Sequence, residues 1–314
     1  MKKERILVIK LGALGDFILM MGRMLWIKKC HPQASLTLMT GGMYVQLARP
    51  MGIFDSYIID NRKSYWNLAD KFRLYKELKA GEFDYIYDLQ GTSRTRTRYF
   101  FAYTRLVRKP CVWIDIPNMD RRTVTPAGFF GRRKVETEPL KVASVAKHRL
   151  EFLKASPELL ESLPRPYVLM IPGCSPSHPH KRWPAESFAT LAVRLAEHGI
   201  HTVVIGTKAE AEAVECVAKA SPMVLNLLNK VSMTDIPDLA RNALVSVGND
   251  TGPSHMAAHT ESPLIGLFAA RKKPCSLRGE QTFNIISSGP IGLITPDEVW
   301  SAMLPYIAPH FNNK

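Results

Sequence analysis

The chain has 314 residues, long for one hydrophobic core and sufficient for two domains that each bury their own. Hydrophobic residues make up 46% and charged residues 22% of it, which excludes a disordered or fibrous chain. The formal net charge of +14 is the one outlier, and it predicts an anionic partner such as a phosphate, a nucleic acid or a membrane face.

The positive charge is concentrated in one segment. Between Thr92 and Arg149 there are fourteen Lys or Arg residues against four acids, a surplus of ten. Surplus charge of one sign attracts ligands of the other. We expect the anionic partner to meet this stretch.

The five cysteines are scattered and form no Cys-x-x-Cys pair, which disfavours zinc or redox chemistry and fits a reduced cytosolic compartment. Lys10 and Asp16 interrupt the apolar start before it reaches the length of a signal-peptide core. No segment has the roughly 18 uninterrupted apolar residues of a membrane span. Any membrane association is therefore expected to be peripheral.

The first half alternates short apolar runs with helical patterns, which predicts a parallel sheet. The predicted strands are Ile6–Ile9, Leu36–Met39, Tyr57–Ile59, Tyr85–Tyr87 and Val112–Ile114. The predicted helices are Phe17–Lys29, Met43–Ala48 and one with Leu68, Phe72, Tyr75 and Leu78 on one face. A basic loop around Gly131 follows the last of these strands.

A proline-rich stretch from Ser156 to Pro166 suits a linker, so we predict domains 1–160 and 161–314. The second half repeats the alternation. Its predicted strands are Val168–Ile171, Thr202–Ile205, Val224–Leu227, Leu244–Val247 and Leu264–Phe268. Its predicted helices include Phe188–Leu195, Ala209–Lys219, Asp235–Asn242, Ser254–His259 and a final helix near Pro296–Leu304 that could pack back onto the first domain.

The predicted fold class is therefore α/β, with two Rossmann-like parallel-sheet domains facing each other across a cleft. Open parallel sheets bind ligands beyond the carboxyl ends of their strands. The loops at those ends are the candidates for chemistry.

The first such loop is Gly12-Ala13-Leu14-Gly15-Asp16, between a strand and a helix. It lacks the Gly-x-Gly-x-x-Gly spacing, and Asp16 places a carboxylate where a pyrophosphate would rest, so a nicotinamide cofactor is disfavoured. Asp16 can act as a general base toward an acceptor hydroxyl. Capping of the helix N-terminus is the commoner role for such an Asp, and both interpretations stay open here.

Two loops of the second half could hold a diphosphate. One carries Ser175 and Lys181, which could bind phosphate oxygens by hydroxyl and charge, although a stiff basic loop has the same composition. The other is Gly248-Asn249-Asp250-Thr251-Gly252-Pro253-Ser254-His255, which can present a carboxylate to sugar hydroxyls and amides to phosphate, although plain turns share these residues.

Four further residues are ambiguous. Glu210 follows a predicted strand, where a carboxylate can bind ribose hydroxyls or simply begin a helix. His255 could touch the ligand or be structural. His178 and His180 lack a third ligand nearby, so no metal site is predicted.

Together the loops resemble glycosyltransferase family 9, the lipopolysaccharide heptosyltransferases with a GT-B fold. Four stretches carry the resemblance, in family order: Ile9 to Asp16, Phe83 to Gly91, Lys181 to Pro184, and Gly248 to Ala258. The last contains Asp-Thr-Gly-x-x-His-x-Ala-Ala, which is quite specific.

The resemblance implies an inverting, metal-independent transfer of heptose from ADP-heptose to the inner core of lipopolysaccharide, at the inner face of the bacterial inner membrane. The nucleotide sugar is then a substrate, and no cofactor is expected. Residues 1–160 would bind the acceptor and 161–314 the donor. Implied roles are base for Asp16; donor contacts for Ser175, Lys181, Glu210, Asp250, Thr251, Gly252 and His255; and acceptor contacts for Gly15, Arg94, Arg96 and Arg98.

The basic segment then has a purpose, because the implied acceptor is an anionic glycolipid, and no nucleic acid is expected. The chain departs from the family after Phe268, where Ala269-Ala270 and the basic Arg271 to Pro274 replace the usual pattern. Another nucleotide sugar therefore stays open as the donor. A second alternative function stays open, that of a non-catalytic protein that binds anionic ligands or nucleic acid.

Overall fold

The structure is a computed structural model that describes residues 3–62, 67–92, 95, 149–270 and 277–311, together with the backbone of 112–115, 126–127 and 131–132. The chain divides into two compact units, Met1–His148 and Arg149–Lys314. The division lies N-terminal to the proline-rich segment. Leu150 and Leu153 are fully buried and precede that segment, which contributes a short helix, Pro157–Glu161, capped by the Ser156 hydroxyl.

The described part of unit 1 is a seven-stranded sheet with helices between its strands, in the order β3-β2-β1-β4-β5-β6-β7. The strands are β1 Arg5–Ile9, β2 Ser35–Thr40, β3 Ser56–Ile59, β4 Tyr85–Asp88, β5 Val112–Asp115, β6 Pro126–Ala127 and β7 Gly131–Arg132. Strands β1 to β5 pair in parallel, and β6 and β7 add antiparallel pairs at one edge. The helices are α1 Leu14–Cys30, α2 Val45–Ala48 and α3 Leu68–Gly81.

Unit 2 has a six-stranded, all-parallel sheet in the order β10-β9-β8-β11-β12-β13. The strands are β8 Tyr167–Ile171, β9 His201–Gly206, β10 Val224–Leu228, β11 Ser246–Asn249, β12 Leu264–Phe268 and β13 Thr282–Ile286. After Pro157–Glu161, the helices are Ala185–Glu197, Ala211–Ala220, Ile236–Asn242, Gly252–Ala258 and Pro296–Ile307.

In both units the order in which strands are added to the sheet reverses after the third strand. In unit 1 the chain builds β1, β2 and β3 outward and then returns to place β4 on the other side of β1. Unit 2 does the same with β8, β9, β10 and β11. A crevice opens at such a switch point, beyond the carboxyl ends of the two central strands, and open α/β sheets bind their ligands there. The predicted class, two parallel-sheet α/β domains, is confirmed.

The buried face of α3 differs from the prediction. Leu68 and Phe72 are 72% and 70% exposed, whereas Leu74 and Leu78 are buried with the core residues of β1 and β4. The predicted face was wrong because the apolar residues of α3 form two stripes, and only one of them meets the sheet.

Strand β13 was not predicted from the sequence. This strand lies at the edge of its sheet and is only partly buried, so Thr282–Ile286 lacks the wholly apolar run that identified the central strands. The final helix buries Val299, Met303 and Ile307 in the core of unit 2.

No helix in the described ranges is both long enough and apolar enough to cross a bilayer.

Candidate functional site

In unit 1 the candidate residues lie at the switch point between β1 and β4. Leu11 donates its backbone N–H to the Gln90 side-chain oxygen at 3.0 Å, which ties the loop after β1 to the loop after β4. Asp88, at the end of β4, is fully buried and accepts the backbone N–H groups of Gln90 and Gly91, each at 3.0 Å. The two loops therefore form one connected edge.

Asp16 lies in the first turn of α1 and its side chain is exposed. The N-cap residue is Ala13, which has no side-chain capping bond. The carboxylate of Asp16 therefore does not cap the helix, and the capping interpretation is wrong. It is left accessible at the start of a helix, where the helix dipole favours a negative charge. Gly15, beside it, is half-buried.

Lys10 was not predicted from the sequence as part of this site. Lys10 directly follows β1, and its side chain is buried, with only 4% of its surface exposed. Burial lowers the pKa of the Lys10 ammonium, while the charges of Asp16 and Asp88 act in the opposite direction. A buried lysine is costly unless carboxylates face it, so these three residues form one electrostatic group.

Tyr44 packs against the loop that follows β1. Its ring stacks on Phe17 of α1 at a centroid distance of 5.0 Å, and it lies against Gly12, where a Cβ would come within 2.6 Å of the Tyr44 oxygen. Burial raises the pKa of the Tyr44 hydroxyl, and the Asp16 carboxylate also raises it. Gly12 has φ +124°, a conformation that L side chains rarely adopt. Only glycine therefore fits between Tyr44 and the turn before Asp16.

In unit 2 the candidate residues lie at the switch point between β8 and β11. The Lys181 ammonium lies 2.7 Å from Asp250 Oδ2, and His255 Nε2 lies 3.7 Å from Asp250 Oδ1. Burial alone would raise the pKa of the Asp250 carboxyl, but its contacts with His255 and Lys181 outweigh burial and hold that pKa well below its usual range. Asp250 is therefore a fixed negative charge that pairs with Lys181 and lies close to His255.

Buried contacts hold the Lys181 loop in place. The fully buried Asn249 accepts the backbone N–H of Trp183 at 3.1 Å and donates to the Pro172 carbonyl at 2.7 Å. Trp183 is itself buried and donates its indole N–H to the Ile294 carbonyl at 2.8 Å. Since Asn249 and Trp183 are both anchored in the core, the Lys181 loop is preorganised for a ligand.

The remaining donor candidates lie around this centre. Thr251 has extended backbone and precedes the helix Gly252–Ala258, and its side chain makes no capping bond. Ser175 is exposed and its hydroxyl lies 2.8 Å from that of Ser177.

Glu210 lies against the backbone of the first loop, where a Cβ on Gly173 would meet its Cγ at 2.4 Å. Glu210 also forms a capping box, accepting the Thr207 backbone N–H at 2.9 Å. Glu210 therefore has the structural role of capping a helix start, and its contact with the ribose stays a prediction.

Arg94, Arg96 and Arg98, like most of the basic segment, lie outside the described residues. Within the described residues, no three His, Cys, Asp or Glu side chains are grouped so that they could hold a metal ion.

The model of glycosyltransferase family 9 (heptosyltransferase) matches residues 122–277. This chain carries a glycosyltransferase family 9 domain. The match spans the Lys181 loop and the Asp250 loop, so both candidate donor loops belong to the family 9 domain.

Relatives of this family 9 protein include lipopolysaccharide enzymes. It is 22% identical over 287 residues to the lipopolysaccharide core heptosyltransferase OpsX of Haemophilus influenzae, covering 83% of this chain and 78% of OpsX. It is 33% identical over 109 residues to lipooligosaccharide heptosyltransferase 2 of the same organism. That second match spans 33% of this chain and only 31% of the relative.

Among solved structures, the family 9 protein resembles the Escherichia coli heptosyltransferase WaaC with ADP-2-deoxy-2-fluoro heptose. The TM-score is 0.71 at 18% identity, with 96% of this chain and 99% of WaaC covered. This likeness shows the GT-B type fold.

Proposed function

We propose that this protein is an inverting glycosyltransferase that moves a heptose from ADP-heptose to the core of lipopolysaccharide. The family match, the heptosyltransferase relatives and the WaaC structure with an ADP-heptose analogue support this assignment. The observation that carries it is the Lys181–Asp250 pair at the switch point of unit 2, the place where a Rossmann-like sheet binds a nucleotide.

The donor end needs a cation and an acceptor of sugar hydroxyls. Lys181 supplies the positive charge for the diphosphate, and Asp250 accepts hydrogen bonds from the sugar hydroxyls. Thr251 and Gly252 present backbone amides to a phosphate, Ser175 adds a hydroxyl, Glu210 contacts the ribose, and His255 orients Asp250. Since these groups stabilise the departing diphosphate without a metal, we expect chelators to leave the rate unchanged.

The acceptor end needs a base. Asp16 takes the proton of the acceptor hydroxyl as its oxygen bonds to the anomeric carbon, while the bond from that carbon to the diphosphate oxygen breaks and ADP leaves with the electron pair. One displacement from the opposite face inverts the anomeric centre. Lys10 keeps the carboxylate in place by charge, and Gly15 borders the acceptor.

The acceptor itself would be an anionic glycolipid. Arg94, Arg96, Arg98 and the rest of the segment from Thr92 to Arg149 would bind its carboxylates and phosphates. We accordingly propose a cytoplasmic protein that works at the inner face of the inner membrane.

The test is transfer from ADP-heptose to purified heptose-free core glycolipid, followed by mass spectrometry of the product. A gain of one heptose with release of ADP supports the proposal. Transfer only from another nucleotide sugar would reassign the donor. Binding of ADP-heptose without turnover under any condition would identify a non-catalytic binder instead.

A further inference from the structure

The helix α3 carries large apolar side chains that face solvent in the described part of the chain. Leu68 and Phe72 are each about 70% exposed, and the Tyr75 ring lies 6.4 Å from that of Phe72. Spacings of four and three residues place all three on one face. Leu74 and Leu78, which meet the core, lie on another.

Two lysines extend this face. Lys76 and Lys79 follow Phe72 and Tyr75 by one helical turn each, and both are exposed. Neither pairs with a carboxylate in the described ranges. We name Leu68, Phe72, Tyr75, Lys76 and Lys79 the α3 stripe.

The acids of α3 are kept away from the stripe. Arg73 donates to Asp70 at 2.9 Å and to Glu77 at 2.8 Å, and it also binds the Ile59 carbonyl at 2.6 Å. This network neutralises both carboxylates on a separate side of the helix. The α3 stripe is therefore apolar and positively charged, with no negative charge of its own.

We propose that the α3 stripe is a contact surface for an anionic phospholipid bilayer. Leu68 and Phe72 insert at the boundary between headgroups and acyl chains, Tyr75 lies at headgroup level, and the lysines meet lipid phosphates. An apolar row with adjacent lysines is typical of helices that lie in the membrane interface. The inference rests on the proposed function only in that the acceptor is a membrane glycolipid.

A second copy of the chain fits the stripe less well. A symmetric dimer buries the same surface of both copies in one interface, so the lysines of both copies would meet there with no carboxylate of the stripe to pair with. Three apolar side chains also offer far less than the roughly 800 Å² per partner of a stable interface. A bilayer accepts shallow insertion of a few side chains and attracts the lysines.

The experiment is co-sedimentation of the full chain with vesicles of phosphatidylglycerol and phosphatidylcholine, compared with pure phosphatidylcholine. Replacing Leu68 and Phe72 together by Ser is expected to weaken binding to anionic vesicles roughly tenfold or more. Lys76→Gln with Lys79→Gln is expected to lose about fivefold per lysine, on anionic vesicles only. A change below threefold in both double variants overturns the proposal.

The matched control replaces Phe283 and Ile286, which are 56% and 57% exposed in unit 2, by Ser. This control is expected to bind vesicles like the wild type, and equal losses in it and in the stripe variants would also overturn the proposal. A wild-type dimer that the Leu68 and Phe72 substitutions dissociate would assign the stripe to a second copy.

Transfer to a lipid-free core oligosaccharide separates the two claims. The stripe variants should keep the wild-type rate on this soluble acceptor. If the wild type transfers nothing, the proposed function fails while the vesicle result still stands.

Discussion

Lys181 and Asp250 form a 2.7 Å ion pair between loops that follow two adjacent central strands, and the two side chains are only 20% and 7% exposed. The pair sits at a site that the core holds rigid through Asn249 and Trp183. A charge pair so well shielded has a large effect on any anion that arrives there.

Replacing Lys181 by Ala is expected to raise the KM for the donor by at least tenfold and to weaken ADP binding, because the diphosphate loses its charge partner. The measurement is calorimetric ADP binding together with initial rates. Lys219→Ala is the control, since Lys219 is exposed on another helix of unit 2 and pairs only loosely with Glu215 at 3.9 Å. Equal ADP affinity in Lys181→Ala and wild type would remove Lys181 from the donor site.

Stability of unit 2 is expected to depend on pH through Asp250. Its folded pKa lies below the ordinary 3.8, so ionised Asp250 stabilises the fold above that pH, and this contribution is lost as the pH falls through the depressed value. Asp250→Asn should therefore cost about 1–3 kcal/mol at pH 7, and this cost should begin to shrink below pH 3.8 and be smaller at pH 3. Urea unfolding followed by tryptophan fluorescence at both pH values measures this. A cost that is equal at both contradicts it.

Gly12→Ala is expected to distort the turn before Asp16, because the position combines φ +124° with the Tyr44 oxygen 2.6 Å from the new Cβ. Transfer should fall at least a hundredfold. Gly52→Ala is the control, since Gly52 also has a positive φ, +66°, but nothing lies within 4 Å of its Cβ. Adding Tyr44→Ala to Gly12→Ala should recover part of the activity, and no recovery would show that the backbone alone is responsible.

The alternation of apolar runs and helical patterns predicted nearly every central strand, because strands buried on both faces must be continuously apolar. It could not predict the edge strand β13 or the buried face of α3, where packing rather than pattern decides. Asp16, Lys181, Asp250 and His255 were predicted from their loops. Lys10 and Tyr44 were not, because their importance depends on which strands become neighbours.

Lys10→Met tests one of the missed residues. Removing the buried positive charge takes away one cation that faces both Asp16 and Asp88, so kcat is expected to fall tenfold or more while the KM for the donor stays the same. Lys10→Arg keeps the charge and should retain more activity. Circular dichroism and thermal melting establish that both variants fold. If kcat is unchanged in folded Lys10→Met, Lys10 has no role in positioning Asp16.

The central claim is that Asp16 is the base and that donor binding belongs to unit 2. Its most direct test is Asp16→Asn, measured for heptose transfer and for ADP-heptose affinity in the same preparation. The account predicts a loss of transfer of at least a thousandfold with donor affinity within about twofold of wild type. Transfer at the wild-type rate by the folded Asp16→Asn protein would contradict it.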